Sequence, residues 1–172
     1  ADLKGKTVGT PGRKGETWYA LQLAMSTASL TESDLTIQDI GYTQQAALVG
    51  GKVDAVVGYS NNDAIQIRQA GTPVRTIQVA DRIPLVGVSL VTTRSLLDSR
   101  RQDLETVVKA SIKGMTAFVK DPDAAVEATK DHMDDLKVDQ TQATRAREVA
   151  VATGKLVSGD GSHPIGSVRV DD

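Results

Sequence analysis

The hydrophobic period of this 172-residue chain changes once, near Thr93, and that change limits the folds open to it. Up to Thr93, short apolar runs alternate with stretches of helical spacing, and each run stops at a turn signal, the βαβ pattern of a parallel sheet. Lys6-Thr7-Val8-Gly9-Thr10 reads as a strand stopped by Pro11-Gly12, followed by a helix from about Glu16 to Ser29 with Trp18, Leu21, Met25 and Ala28 on one face. Leu35 to Ile40 reads as the next strand, ending at Gly41. Thr43 is placed to cap a short helix from Gln44 to Val49, which Gly50-Gly51 ends. Val53 to Val57 gives a third strand, and Ser60 or Asn61 can cap a helix running to about Ala70, closed by Gly71 and Pro73. Val74–Val79 and Val86–Thr92 read as two further strands.

After Thr93 only helical periods remain. Leu104, Val107, Val108, Ser111, Ile112, Met115, Phe118 and Val119 form a stripe along one long helix, and Asp121-Pro122 caps and opens the next. A third helix is expected from Gln140 to Thr153, ending at Gly154, with a loop after it. The pattern predicts an α/β fold with one complete lobe and a mostly parallel sheet over residues 1–92. It assigns the helices of residues 93–172 to a second, incomplete lobe whose strands are absent or borrowed. The alternative is one α+β domain in which these helices cover the same sheet.

Composition removes several function classes. With no cysteine there can be no disulfide, thiolate metal site or cysteine nucleophile. A net charge of −2, from 20 basic and 22 acidic residues, gives no reason to expect nucleic acid. No apolar run is long enough for a membrane span, and the chain reads as a soluble globular one. The opening Ala1-Asp2-Leu3-Lys4-Gly5-Lys6 lacks the pattern of a signal peptide, which fits a cytoplasmic protein or a mature or trimmed piece of an exported one. His132 with Asp134 and Asp135 fits no standard metal spacing, and Gly159-Asp160-Gly161 reads as a turn rather than a calcium loop. No Gly-x-Ser-x-Gly elbow occurs. No catalytic residue, metal or cofactor is expected.

Open parallel sheets bind ligands beyond the carboxyl ends of their strands, so the three loops that follow strands are the candidate site. In the first, Thr10, Gly12, Arg13, Gly15, Glu16 and Trp18 combine close backbone approach, a cation and a helix N-terminus. It is neither a dinucleotide fingerprint nor a P-loop. The second, Gly41-Tyr42-Thr43-Gln44-Gln45, and the third, Gly58-Tyr59-Ser60-Asn61-Asn62-Asp63, each set a Tyr directly after the glycine that ends a strand. The chain has only one Trp, three Tyr and one Phe, and four of these rings, Trp18, Tyr19, Tyr42 and Tyr59, lie in its first 59 residues. Flat rings beside amides and hydroxyls suit a small, flat, polar ring.

The run Asp2-Leu3-Lys4-Gly5-Lys6-Thr7-Val8-Gly9, the pair Gly12 and Gly15 before a helix, and Leu48-Val49-Gly50-Gly51-Lys52-Val53-Asp54-Ala55-Val56-Val57 resemble the nitrate/sulfonate/taurine-binding branch of ABC-transporter substrate-binding proteins. The loops Gly12 to Trp18, Ile40 to Gln44 and Gly58 to Asp63 look most like those of thiamine-precursor (pyrimidine) binders. The resemblance implies a type II periplasmic-binding-protein fold whose two lobes close on a small solute and deliver it to ABC permease subunits. It places Thr7 to about Val86 in one lobe, and it implies an N-terminal segment, absent here, that would supply the other lobe's first strands. An extracytoplasmic or periplasmic, membrane-associated location follows from the same resemblance.

The reading that results is reversible binding of a small heteroaromatic vitamin precursor, with no reaction. Trp18, Tyr42 or Tyr59 would stack on the ring, Glu16 and Asn62 would bond its edge, the helix N-terminus would hold a polar substituent, and Thr43 and Asn61 would come from the second and third loops. An alkylsulfonate or nitrate-type oxyanion is the alternative ligand, for which Arg13 would matter more. A pyrimidine-synthase-like enzyme is disfavoured by the lack of cysteine. A third reading, a subunit-interaction domain, predicts self-association through the helical half.

Overall fold

A computed structural model describes residues 2–79 and 89–167. The chain divides into two compact units, residues 1–89 and 90–172, where the sequence pattern places the division after Thr92. In the first unit, β1 (Thr7–Thr10) is followed by α1 (Gly15–Thr27), a 3-10 turn (Glu32–Asp34), β2 (Thr36–Asp39), α2 (Gln44–Val49), β3 (Ala55–Val56) and α3 (Asp63–Gln69). The sheet is parallel with order β2-β1-β3. Thr7 to Thr10 pair with Thr36 to Asp39, while Val8 and Gly9 pair with Ala55 and Val56. This is the small parallel α/β architecture of a partial type II periplasmic-binding-protein fold.

The central position of β1 explains its burial. Val8 and Thr10 are almost wholly enclosed, and Val8, Leu21, Met25 and Leu35 form the core. Trp18, Leu21 and Met25 recur at helical spacing along α1, and all three reach this cluster, as the sequence pattern anticipates. The chain runs from β1 to β2 on one side and then crosses back to β3 on the other. That reversal puts a topological switch point between β1 and β3, the place where open parallel sheets bind ligands.

The expected strand Val74–Val79 is absent, and residues 72–78 are irregular. Its alternation supplies strand propensity, but a strand exists only where a neighbour accepts its ladder bonds. Side chains hold the segment instead: Arg75 pairs with Asp2 at 2.7 Å, and Arg68 donates to the Thr76 hydroxyl at 3.1 Å. Of the expected strand Val86–Thr92, residues 86–88 lie outside the described residues, and residues 89–92 form no strand.

The second unit is helical among its described residues: α4 (Arg94–Ser99), α5 (Arg101–Lys120), α6 (Pro122–Lys130), α7 (Asp135–Val138) and α8 (Gln140–Ser158). Asp121 accepts from the Ala124 N–H at 2.9 Å with Pro122 at the first helical position, so the anticipated corner forms as read. Asp139 caps α8 in the same way, accepting from Thr141 and Gln142. Gly154 does not end α8, which continues to Ser158. It is buried where α8 crosses Phe118 and Val119 of α5, and the surrounding packing carries the helix through it. Arg147 and Asp123 bridge α8 to α6 at 2.6 Å. The stripe on α5 is covered only in part: Ile112, Met115, Phe118 and Val119 are half-buried, while Val107 and Val108 are exposed.

Candidate functional site

Each of the three loops is shaped by local chemistry before any ligand is considered. At the end of β1 the buried Thr10 hydroxyl donates to the Gly12 carbonyl at 3.2 Å and closes the turn. Gly15 opens α1 with φ +71°, a left-handed backbone in which a side chain would be strained. Gly12, with φ +152°, sits against the Asp39 carboxylate at the end of β2. Asp39 also accepts from the Gly41 N–H at 3.2 Å, which links the first loop to the second.

The first loop then divides between two sets of contacts. Arg13 bonds the Glu32 carboxylate ahead of β2, and its guanidinium lies 5.0 Å from the Trp18 ring centroid. Trp18 itself packs against the core. Both residues were expected to face a ligand; the structure engages them with Glu32 and with the sheet. Glu16 goes the other way, toward β3. The Tyr59 hydroxyl donates to Glu16 Oε2 at 3.1 Å, so the loops leaving β1 and β3 meet directly at the switch point.

Tyr59 is the centre of the third loop. Its N–H donates to Asp63 Oδ2 at 2.7 Å, and its carbonyl accepts from Asn62 and Ala64. Burial is the first cause that raises the phenol above its ordinary pKa, followed by the negative charge of Glu16 and its hydrogen bond, then Asp63 and Tyr42. Tyr42, on the second loop, is 88% exposed. Tyr59 is itself 47% exposed, leaving ring surface open beside the Glu16 carboxylate.

Three expected polar roles come out differently. Thr43 occupies the position before α2, but its hydroxyl donates backward to the Ile40 carbonyl at 2.7 Å and caps nothing. The residue at the N-cap position of α3 is Asn62 rather than Ser60 or Asn61, because the helix begins at Asp63. Asn62 stands before it and uses its side-chain oxygen to accept from Gln66 at 2.7 Å. Asn61 is half-buried in the same turn. Asp39 lies outside the three loops read as the site, and Asp63 closes the third loop without a role of its own in that reading. An acidic residue in the first turn of a helix, five positions after a strand-ending glycine, was the available signal for Asp63.

Glu16 and Tyr59 together make a rim in which a carboxylate acceptor stands beside an aromatic ring. Such a rim suits a flat ligand whose edge donates hydrogen bonds. Among the described residues no group of three or more His, Cys, Asp or Glu could hold a metal ion. No helix of the described residues is long and apolar enough to cross a membrane.

Residues 1–125 match the family described as NMT1/THI5 like. Riboflavin-binding protein RibY of Chloroflexus aurantiacus is 35% identical over 126 residues, covering 73% of this chain and 36% of that protein. Formylaminopyrimidine-binding protein of Halalkalibacterium halodurans is 24% identical over 164 residues, covering 94% of this chain and 49% of that protein. The chain therefore spans half or less of the length of these relatives. A family match over residues 1–125, a span that includes Glu16 and Tyr59, establishes that the chain belongs to the NMT1/THI5-like family.

Proposed function

We propose that the chain is part of a solute-binding protein that reversibly holds a small heteroaromatic vitamin or vitamin precursor of the pyrimidine type. The observation that carries this is the hydrogen bond from Tyr59 to Glu16 across the β1/β3 switch point, with the exposed Tyr42 on the loop that leaves β2. The rings offer a stacking surface, and the carboxylate beside them accepts from a ring edge that bears N–H groups. Relatives named for riboflavin and for formylaminopyrimidine support this chemistry, since both names denote heteroaromatic rings with polar edges. Pairing of Arg13 with Glu32 weighs against the oxyanion alternative, because that reading needs the cation free to meet an anion.

On this reading the site performs no reaction. The protein works outside the cytoplasm, the helical unit belongs to a second lobe, and the loaded protein docks on a membrane permease. Thermal-shift measurements with riboflavin, 4-amino-5-hydroxymethyl-2-methylpyrimidine and an alkylsulfonate test the ligand class. A true ligand at a hundred times its dissociation constant stabilises by about 2.7 kcal/mol, and Tyr59→Ala should remove that shift. Stabilisation by the sulfonate alone, or a shift indifferent to Tyr59→Ala, would overturn the assignment.

A further inference from the structure

We propose that Asp63 is the positioning residue of this site: its carboxylate, seated in the space that Gly58 leaves free, fixes the Tyr59 main chain so that the phenol reaches Glu16. The inference rests on the reading that Tyr59 and Glu16 meet the ligand, and it adds a residue that does not touch the ligand.

Both main-chain groups of Tyr59 are held. Its carbonyl accepts from the N–H groups of Asn62 at 3.1 Å and Ala64 at 3.4 Å, bonds that any sequence could make in this turn. Its N–H is satisfied by a side chain, Asp63 Oδ2 at 2.7 Å, the one anchor of the three that a particular residue type must supply. A hydrogen bond to an ionised acceptor is stronger than a neutral one, so this anchor dominates the turn.

Gly58 makes the anchor possible through space rather than through backbone freedom. A Cβ placed there would lie 2.5 Å from Asp63 Oδ2 and 2.9 Å from its Cγ, closer than atoms can approach. The carboxylate could swing away from such a methyl group, but only by giving up the Tyr59 N–H. Gly58, Tyr59 and Asp63 therefore act as one unit, and the phenol at the far end of Tyr59 inherits its position from it. An error of about 1 Å at the backbone would carry the hydroxyl beyond the 3.1 Å bond to Glu16.

Three variants separate position from charge. Asp63→Asn removes the charge but keeps a side-chain carbonyl that can accept from the Tyr59 N–H. Asp63→Ala removes both. Gly58→Ala keeps the charge and displaces the carboxylate. The first readout needs no ligand: alkaline titration of tyrosinate absorbance in the chain, whose three tyrosines are assigned with Tyr59→Phe. The second is the affinity for riboflavin and for 4-amino-5-hydroxymethyl-2-methylpyrimidine.

A positioning role predicts that Asp63→Asn keeps the late titration of Tyr59, because burial and Glu16 are its larger causes, while Asp63→Ala and Gly58→Ala both bring it to the ordinary tyrosine range. The same two variants should weaken whichever probe binds by about tenfold or more, and Asp63→Asn by much less. If Asp63→Asn behaves like Asp63→Ala while Gly58→Ala behaves like the parent, Asp63 acts by charge and the proposal is wrong. It is equally wrong if all three titrate like the parent. Should Asp63→Ala fail to fold by circular dichroism, the contrast between Asp63→Asn and Gly58→Ala still decides. Absence of binding by the parent would count against the proposed ligand class and leave the titration test intact.

Discussion

Arg13 can be taken out of the candidate site by measurement. Its guanidinium bonds Glu32 and lies over Trp18, so Arg13→Ala removes an ion pair and a cation–π contact together. The side chains of Arg13 and Glu32 are 55% and 48% exposed, which places the pair among screened surface bridges worth about 0.2–1 kcal/mol. The ring contact at an exposed site adds about 0.5–1 kcal/mol. Arg13→Ala should therefore destabilise the first unit by about 1–2 kcal/mol, and Glu32→Ala by less. A double-mutant cycle should return a coupling of about 0.5 kcal/mol that fades in 1 M salt, where the screening length falls to about 3 Å. Trp18 is the sole tryptophan, so its emission during urea unfolding reports this unit. In the same variants riboflavin or pyrimidine affinity should change little. Zero coupling at low salt, or a loss of affinity in Arg13→Ala as large as in Tyr59→Ala, would refute the assignment of Arg13 to Glu32 and return it to the ligand.

Two further outcomes follow from the described geometry. Gly114 lies inside α5 with open space where a Cβ would go, so Gly114→Ala should stabilise the helical unit by about 0.8–1 kcal/mol and raise its midpoint in thermal melts followed by circular dichroism; no gain would show that this face packs against something. The Asp34 carboxyl is held below the usual carboxylate range by the Thr31 N–H first, then by the Thr31 hydroxyl and Lys4. A depressed folded pKa contributes stability that is present above the unfolded value and lost as pH falls through the folded one. Acid titration of the first unit should therefore lose a step below about pH 4 when Asp34→Ala is introduced, and an unchanged acid limb would contradict this.

The order of strands and α-helices from β1 to α3 was legible because helix and strand leave different periods, and the bounds of α2, Gln44 to Val49, were readable from a polar start and a Gly-Gly stop, whereas the short helices α4 and α7 left no period to read. Val74–Val79 misled for a definite reason: alternation reports a chain able to be a strand, while the neighbour that would make it one is a tertiary fact. Gly154 misled in the reverse sense. A glycine late in a helical pattern reads as a stop, yet here it lies buried where α8 crosses α5, and the surrounding packing outweighs a local cost of about 1 kcal/mol.

The candidate site shows the same boundary between local and tertiary information. Glycine followed by tyrosine after a strand identifies which end of the sheet Tyr42 and Tyr59 occupy, and that much needs no coordinates. Which flank a side chain serves is another matter, because Arg13, Glu16 and Trp18 lie within six residues of one loop and α1 start and the sequence gives them no direction. The strand order supplies it. With β1 in the middle, a side chain leaving its carboxyl end can go toward β2, where Glu32 waits for Arg13, or toward β3, where Tyr59 waits for Glu16. Only the second direction crosses the point where the strand order reverses. On the proposed reading the residues that would meet a ligand are those whose partner comes from β3, and Asp63 would hold that partner in place from a different helix.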